Sequence, residues 1–391
     1  MSLAEKVADT THGKVHVPWG ADGSGKYTLA TKGCFDVIAN CYDLLEKACA
    51  EIPLPENNKP FIIADLGTAD GGTSMPTLRR VIDAIRKRDP SRQILVCYED
   101  QPNNDFKSLF FYTQGLLKTG VAGVKPLLEG YDNVFVLASG TGFYNQCFPD
   151  NYVHLMLCCT AMHWLSKQPC TIKGHMHHTS HSVDAKTKAA FAAQAKLDWD
   201  QIMSCRAREL APGGRFVIAN FCVDAEGQLL GKHNDMKHSM YDMKYVLWQE
   251  MATEGLITQE EVDRTTFYNY YRSVDEHMDT FSEGGAAHAL GLRVKRGETR
   301  VVPCPYRAAW MAKRGAQAGT PEALEYARGM VPTMRTWSNS TYTSALNEER
   351  SAEEKGKLVD ELFERLAKKT AAEPTEIAMP YCHWYADITK E

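Results

Sequence analysis

The run Phe61-Ile62-Ile63-Ala64-Asp65-Leu66 passes directly into Gly67-Thr68-Ala69-Asp70-Gly71-Gly72. Few folds accept that junction. An apolar run without polar alternation reads as a strand buried on both faces, as in a parallel sheet covered by helices. A glycine turn at its carboxyl end lets backbone approach a ligand with no Cβ in the way. In a doubly wound sheet, that crevice is where nucleotide-like ligands bind. An ordinary strand-to-helix turn would show the same glycines, so the junction needs support from elsewhere in the chain.

The flanking pattern supplies it. Helices are expected over Cys34–Ala50, Pro76–Arg88, Asn104–Thr119 and Thr187–Leu210, and strands over Gln93–Tyr98, Asn133–Ser139, Val153–Cys158 and Arg215–Phe221. Ala211-Pro212-Gly213-Gly214 stops the last of these helices. Strands alternating with helices predict an α/β fold whose sheet carries helices on both faces. After residue 226 the rhythm turns helical, with helices expected over Asp235–Glu254, Gln259–Thr265 and Asp275–Ser282. A β-rich pair, Arg300–Pro303 and Tyr306–Met311, then a charged helix over Ser351–Lys368 and a strand over Ile377–Ile388, complete the reading. The expected division is a ligand-binding α/β core with an N-terminal lid segment over 1–225, an α-helical cap insertion over 226–298, and a return to the sheet with further cap helices over 299–391.

Composition narrows the function classes. With Lys+Arg 44 against Asp+Glu 49, net charge is -5, and no basic excess advertises a nucleic-acid partner. The 12 cysteines include an adjacent pair, Cys158-Cys159, and no C-x-x-C, which suits reduced, buried thiols. Met1–Thr10 is polar and carries no secretory signal. The most apolar stretch, Val153–Leu165, contains two histidines and falls short of the roughly 20 residues a membrane span needs. A cytoplasmic protein with no membrane partner is expected. Gly174-His175-Met176-His177-His178, with His181, reads as a polar, mobile connection lacking a carboxylate or thiol at ligand spacing, so no metal site is expected there.

Two local signals point to a ligand class. The turn has the spacing acid-x-Gly-x-x-x-Gly, unlike the Gly-x-Gly-x-x-Gly that receives a pyrophosphate. That disfavours an NAD-dependent dehydrogenase and favours S-adenosylmethionine, whose adenosyl group bears no phosphate. At the end of the next strand, Val96-Cys97-Tyr98-Glu99-Asp100-Gln101 offers carboxylates able to accept hydrogen bonds from both ribose hydroxyls.

Further segments carry a resemblance. Asn103-Asn104-Asp105-Phe106-Lys107-Ser108-Leu109-Phe110 looks like the N-D-F-N-x-L-F segment of the SABATH carboxyl methyltransferases. Those plant enzymes methylate salicylate, benzoate, jasmonate and related acids, and include caffeine-pathway N-methyltransferases. Ala64-Asp65-Leu66-Gly67 matches A-D-L-G, Gly142-Phe143-Tyr144 matches S-F-Y, and Phe148-Pro149 follows at the family spacing. Trp164-Leu165-Ser166 resembles M-W-L-S, Pro212-Gly213-Gly214-Arg215 matches L-x-P-G-G-R, and Glu254-Gly255-Leu256-Ile257 with Glu260-Glu261-Val262-Asp263 looks like E-G-L-I-x-E-E-K-x-D. The agreement runs in order over most of the chain.

The resemblance implies a Rossmann-like class I methyltransferase fold, S-adenosylmethionine as methyl donor and a small-molecule acceptor, with homodimerisation a family trait. It also implies roles. Tyr27 and Thr31 would close over the methionine end of the cofactor, with Asp65, Gly67 and Gly71 in the loop beneath. Asp100 would hold the ribose, Gln101 would lie against the adenine, and Gly142 and Phe143 would complete the adenosine site. His163, Trp164 and Tyr270 would face the acceptor under the cap. Two positions depart from the family. Cys34 stands where a glutamine usually holds the substrate carboxylate, and Trp19 replaces a lysine. A thiol cannot reproduce the amide's pair of donors, which leaves indole N–H groups of Trp19 and Trp164 and the imidazole of His163. The expected reaction is methyl-ester formation at a carboxylic acid. N-methylation of a heterocycle and cofactor binding without catalysis are the alternatives.

Overall fold

The computed structural model describes residues 18–56, 59–313 and 316–391. The polar start Met1–Thr10 lies outside them. Strand β1 (Phe61–Leu66) sends Phe61 and Ile63 to one face and Ile62, Ala64 and Leu66 to the other, and both sets are buried in separate apolar clusters. The strands that join it are β2 (Ile94–Glu99), β3 (Val134–Ser139), β4 (Val153–Cys159), β5 (Leu210–Phe221), β6 (Leu292–Val302) and β7 (Tyr381–Lys390), in the order β3-β2-β1-β4-β5-β7-β6. The first five pair in parallel, and β7 lies antiparallel between β5 and β6. Strand order reverses between β1 and β4, so the crevice above their carboxyl ends is the switch point where such sheets bind ligands.

Helices α1 (Lys26–Ala30), α2 (Lys32–Ala39), α3 (Tyr42–Glu51), α4 (Met75–Arg88) and α5 (Phe106–Gln114) precede α6 (Ala185–Glu209). Leu44 of α3 and Leu78 and Ile82 of α4 share the cluster of Phe61 and Ile63, whereas Trp199, Ile202 and Met203 of α6 cover the opposite face. Each side of the sheet is thus sealed by the apolar stripe of its own helices.

Beyond β5 come α7 (Met240–Thr253), α8 (Gln259–Arg264), α9 (Val274–Met278), α10 (Ala286–Ala289), α11 (Pro305–Met311), α12 (Pro321–Ala345) and α13 (Ala352–Ala372). Reciprocal capping boxes start four of them, at Ser239/Asp242, Thr258/Glu261, Ser273/Glu276 and Ser351/Glu354, each satisfying two amide donors that a helix start leaves open. Met251 of α7, Met334 and Tyr342 of α12, and Leu362 and Leu366 of α13 share one core.

Several expectations change. The single helix over Cys34–Ala50 is two, α2 and α3, with Asn40 and Cys41 between them. Helix α5 stops at Gly115, whose φ of 78° closes the helix in the left-handed region. Tyr306–Met311 is helix α11 and not β structure. The histidine-rich segment is no mobile connection: His175, His177 and His178 are all buried. His177 stacks on Tyr241 at 3.7 Å and its Nε2 pairs with Asn269 Oδ1 at 2.9 Å. His175 Nε2 reaches Asp242 Oδ1 at 3.1 Å, so these rings pin the segment to α7 and Asn269.

Candidate active site

Loop 65–72 is built around two backbone approaches. Gly67 has φ of 66°, and its N–H donates to the Glu99 carbonyl at 2.9 Å and to Glu99 Oε2 at 3.1 Å. A Cβ on Gly67 would meet the Ala161 methyl at 2.2 Å, with the Phe143 ring edge at 3.8 Å. The turn therefore lies directly against the segment that leads to His163 and Trp164. Asp65 points inward and accepts from Thr68 Oγ1 at 3.0 Å and Ser74 Oγ at 2.6 Å. Gly71, with φ of 72°, packs on Leu109 of α5.

Acidic groups concentrate at the tip of β2. Asp100 accepts from the Ala69 N–H and the Gln101 N–H, both at 2.8 Å. That leaves one further lone-pair direction on each oxygen. Glu99 is fully buried and its Oε1 has no hydrogen-bond partner. Burial pushes Asp65, Asp70 and Asp100 up to about 6, and pushes Glu99 up as well. Arg206, the cation that tempers Glu99, is itself bonded to Glu209 at 2.7 Å. Among the described residues no basic side chain bonds Asp65, Asp70 or Asp100. Such a crevice fits a ligand that brings O–H donors and positive charge. Phe143 borders the same turn, and its neighbour Gly142 has open space where a Cβ would stand. Gln101 is half-buried beside Asp100.

The segment from Gly23 to Thr31 is tied down by its own sequence. Asp70 accepts from the Thr28 N–H at 2.9 Å and from Thr28 Oγ1 at 2.5 Å. Gly23 N–H donates to Asp105 Oδ1 at 2.9 Å, Gly25 N–H to Ser108 Oγ at 2.8 Å, and Tyr112 OH to the Gly25 carbonyl at 3.0 Å. A narrow cleft of about 40 Å³ remains beneath it, lined by Trp19, Lys26, Tyr27, Asp70 and Asn103 among others. That is room for water and not for an adenosyl group. Tyr27 OH lies 3.9 Å from Cys34 Sγ, and Thr31 Oγ1 donates to the Tyr27 carbonyl at 2.6 Å. Burial pushes the Cys34 thiol up to about 11, so it stays protonated. Trp19 is held between Arg335, 4.0 Å over its ring, and Lys26, 5.0 Å over it.

Under the cap, rings form a continuous wall. His163 is buried edge-on to Phe221 at 4.6 Å and beside Trp164 at 5.2 Å. The half-buried Trp164 bridges to Asn269 and accepts from Tyr144 OH through its carbonyl at 2.9 Å. Tyr270 turns the other way: its hydroxyl donates to Glu276 Oε1 at 2.7 Å and its ring stacks on His178 at 4.4 Å. The tyrosine that joins the wall is its neighbour Tyr271, 5.4 Å from Phe221.

Sequence reasoning passes over two residues here. Tyr381 OH is buried with no partner, close enough to α2 that a Cβ on Gly33 would strike it at 2.4 Å. His383 is fully buried with both ring nitrogens unpartnered and stacks on Phe221 at 4.1 Å. Alternation along β7 is the only signal, placing Tyr381, His383 and Tyr385 on one face.

Comparison with known proteins decides the family. The description "SAM dependent carboxyl methyltransferase" matches residues 19–390. The chain belongs to that family. As a SABATH carboxyl methyltransferase it uses S-adenosylmethionine. Gibberellic acid methyltransferase 2 of Arabidopsis thaliana is 27% identical over 251 residues, 60% of this chain but only 62% of that protein, less than two thirds of its length. Jasmonate O-methyltransferase of the same plant is 25% identical over 379 residues, covering 89% of this methyltransferase and 91% of that one. The solved structure "Loganic acid methyltransferase with SAH" superposes with a TM-score of 0.72 at 21% identity, covering 96% of this chain and 98% of that chain. That likeness establishes the shared fold. Among the described residues of this methyltransferase, no helix is long and apolar enough to cross a membrane.

Proposed function

We propose that this methyltransferase esterifies the carboxylate of a small apolar or aromatic acid. The observation that carries the reading is a pair of unpartnered polar groups, Tyr381 OH and the His383 ring, beside an aromatic wall. They can present hydrogen bonds to an acceptor oxygen, in place of the glutamine that Cys34 replaces. Burial holds His383 down at about 3, so it does not take up a proton near neutrality. A carboxylic acid, with a pKa near 4, is already ionised and needs no base. An N–H or hydroxyl acceptor would need one.

The cofactor supplies a methyl carbon on a sulfonium, and transfer forms one C–O bond as the C–S bond breaks, leaving a neutral thioether and no proton to remove. What the chain contributes is position. Asp100 and Glu99 would hold the ribose end, Asp65, Gly67 and Gly71 the loop floor, Gly142, Phe143 and Gln101 the adenine side, and Tyr27 and Thr31 the cover. His163, Trp164, Tyr381 and His383 orient the acceptor so that its oxygen lies roughly 3 Å from the methyl carbon, in line with the breaking bond. The apolar wall keeps water out.

Purified protein with methyl-labelled S-adenosylmethionine and a panel of aromatic, isoprenoid and fatty acids is expected to yield a labelled product that mild alkali releases as methanol. Label that survives alkali, on a heterocyclic acceptor, would replace this reading with N-methylation. Cofactor binding with no transfer to any acceptor would make the protein a binder only.

A further inference from the structure

Helix α7 carries a lysine on its buried face, one turn beyond Met240 and one before Leu247. Lys244 is fully buried and its Nζ has no hydrogen-bond partner. The amine sits over three rings, with centroids at 4.2 Å for Trp337, 4.6 Å for Tyr241 and 4.9 Å for Phe267. Aromatic faces attract an ammonium but replace none of the hydrogen bonds it gave up in leaving water. Beside it the indole Nε1 of Trp337 is also buried and unpartnered. Two orphaned donors therefore belong to adjoining side chains, where an apolar side chain in place of Lys244 would have filled the space without cost. Burial alone drives the amine toward its neutral form, so an anion arriving there restores the charge and accepts from both groups.

A chain of side-chain contacts links the spot to Phe221 and His383. Tyr241, whose face the amine covers, bonds Tyr271 hydroxyl to hydroxyl at 2.5 Å. Tyr271 lies 5.4 Å from Phe221, which stacks on His383. A wall of rings thus leads from the donors beside the lid to the amine in the cap. We propose that Lys244, with Trp337 Nε1, binds a second carboxylate at the far end of the acceptor, so that the preferred substrates are dicarboxylic acids converted to half-esters. This rests on the carboxyl-methylation reading and narrows it. The reacting carboxylate lies by Tyr381 and His383 and takes the methyl carbon; the other keeps its charge on Lys244.

Matched acids test it: octanoate against suberate, dodecanoate against dodecanedioate, benzoate against terephthalate. In the wild type at least one diacid is expected to exceed its monoacid in kcat/KM by about tenfold or more, mainly through KM, since binding at a remote group acts before the chemical step. Lys244→Met is expected to bring that ratio to about one, with the ratio read within each protein so that a general loss of activity cancels. Lys244→Gln serves if the methionine variant does not fold, and the wild-type comparison stands without either. Wild type that treats every pair alike, or a variant that keeps the diacid preference, overturns the inference while leaving carboxyl methylation intact. Failure to methylate any acid overturns both.

Discussion

Gly67→Val is expected to weaken S-adenosylmethionine binding by about a hundredfold or more, a loss near 2.7 kcal/mol. The residue occupies the left-handed region at φ of 66°, where a side chain costs about 1–2 kcal/mol and a β-branched one the most. Its Cβ would stand 2.2 Å from the Ala161 methyl, so loop 65–72 and the segment at Ala161 must separate. That overpacking adds about 1–3 kcal/mol, and displaces the Gly67 N–H from Glu99. The thermal midpoint should fall by several degrees. Gly130→Val provides the control: φ is 78° there, yet nothing lies within 4 Å of an added Cβ. It shares the backbone strain without the crowding, and should leave cofactor affinity unchanged. Wild-type affinity in Gly67→Val, measured by calorimetry, would remove the loop from the cofactor site.

Tyr381→Phe is the second large effect, and it should appear in catalysis alone. The hydroxyl has no partner and is buried, so its removal deletes a desolvated polar group and keeps the ring's shape. Stability is expected to hold or rise. Acceptor kcat/KM is expected to drop by about ten- to a hundredfold, as a hydrogen bond to a charged oxygen is lost, with cofactor affinity unaltered. A marked fall in thermal midpoint with unchanged kcat/KM would show that the hydroxyl serves the fold and does not touch the acceptor.

The parts of this molecule legible in its sequence are those where local chemistry and tertiary role coincide. The junction of β1 with Gly67 reads correctly because an unbroken apolar strand and a left-handed glycine are each local demands. Helix α12 was invisible for the opposite reason. Gly329, Pro332 and the Ser/Thr-rich stretch from Thr336 to Ser344 all oppose helix formation locally, and what holds them helical is burial of Ala327, Met330, Met334 and Tyr342 against α13 and the cap. At α11 the start signal was present, a proline at the first helical position, but the apolar and aromatic residues after it read as a strand. Tyr270 and Tyr271 differ by one position in a segment that bridges to Trp164 and Cys222 as extended chain, where neighbouring side chains take opposite faces. Family likeness indicates the first, whereas packing brings the second beside Phe221. Lys244, Tyr381 and His383 are ordinary letters in their elements. What distinguishes them is the missing partner, which exists only once the chain is folded.

Three carboxyls proposed to line the cofactor site give the account its most direct test. Asp65, Asp70 and Asp100 are pushed up to about 6 by burial, with no cation bonded to them among the described residues. Because these folded values lie above the unfolded value of about 3.9, their contribution to stability is full below that pH and is lost as pH rises through about 6. Binding a positively charged ligand has the opposite preference, since it needs the ionised forms. Calorimetric titration with S-adenosylmethionine across that range is the measurement. One cofactor per chain, with affinity falling about tenfold or more as pH drops from about 7.5 to 5.5, is the predicted result. No binding at all, or affinity that holds or grows as the solution becomes more acidic, would contradict a carboxylate-lined seat for the sulfonium donor.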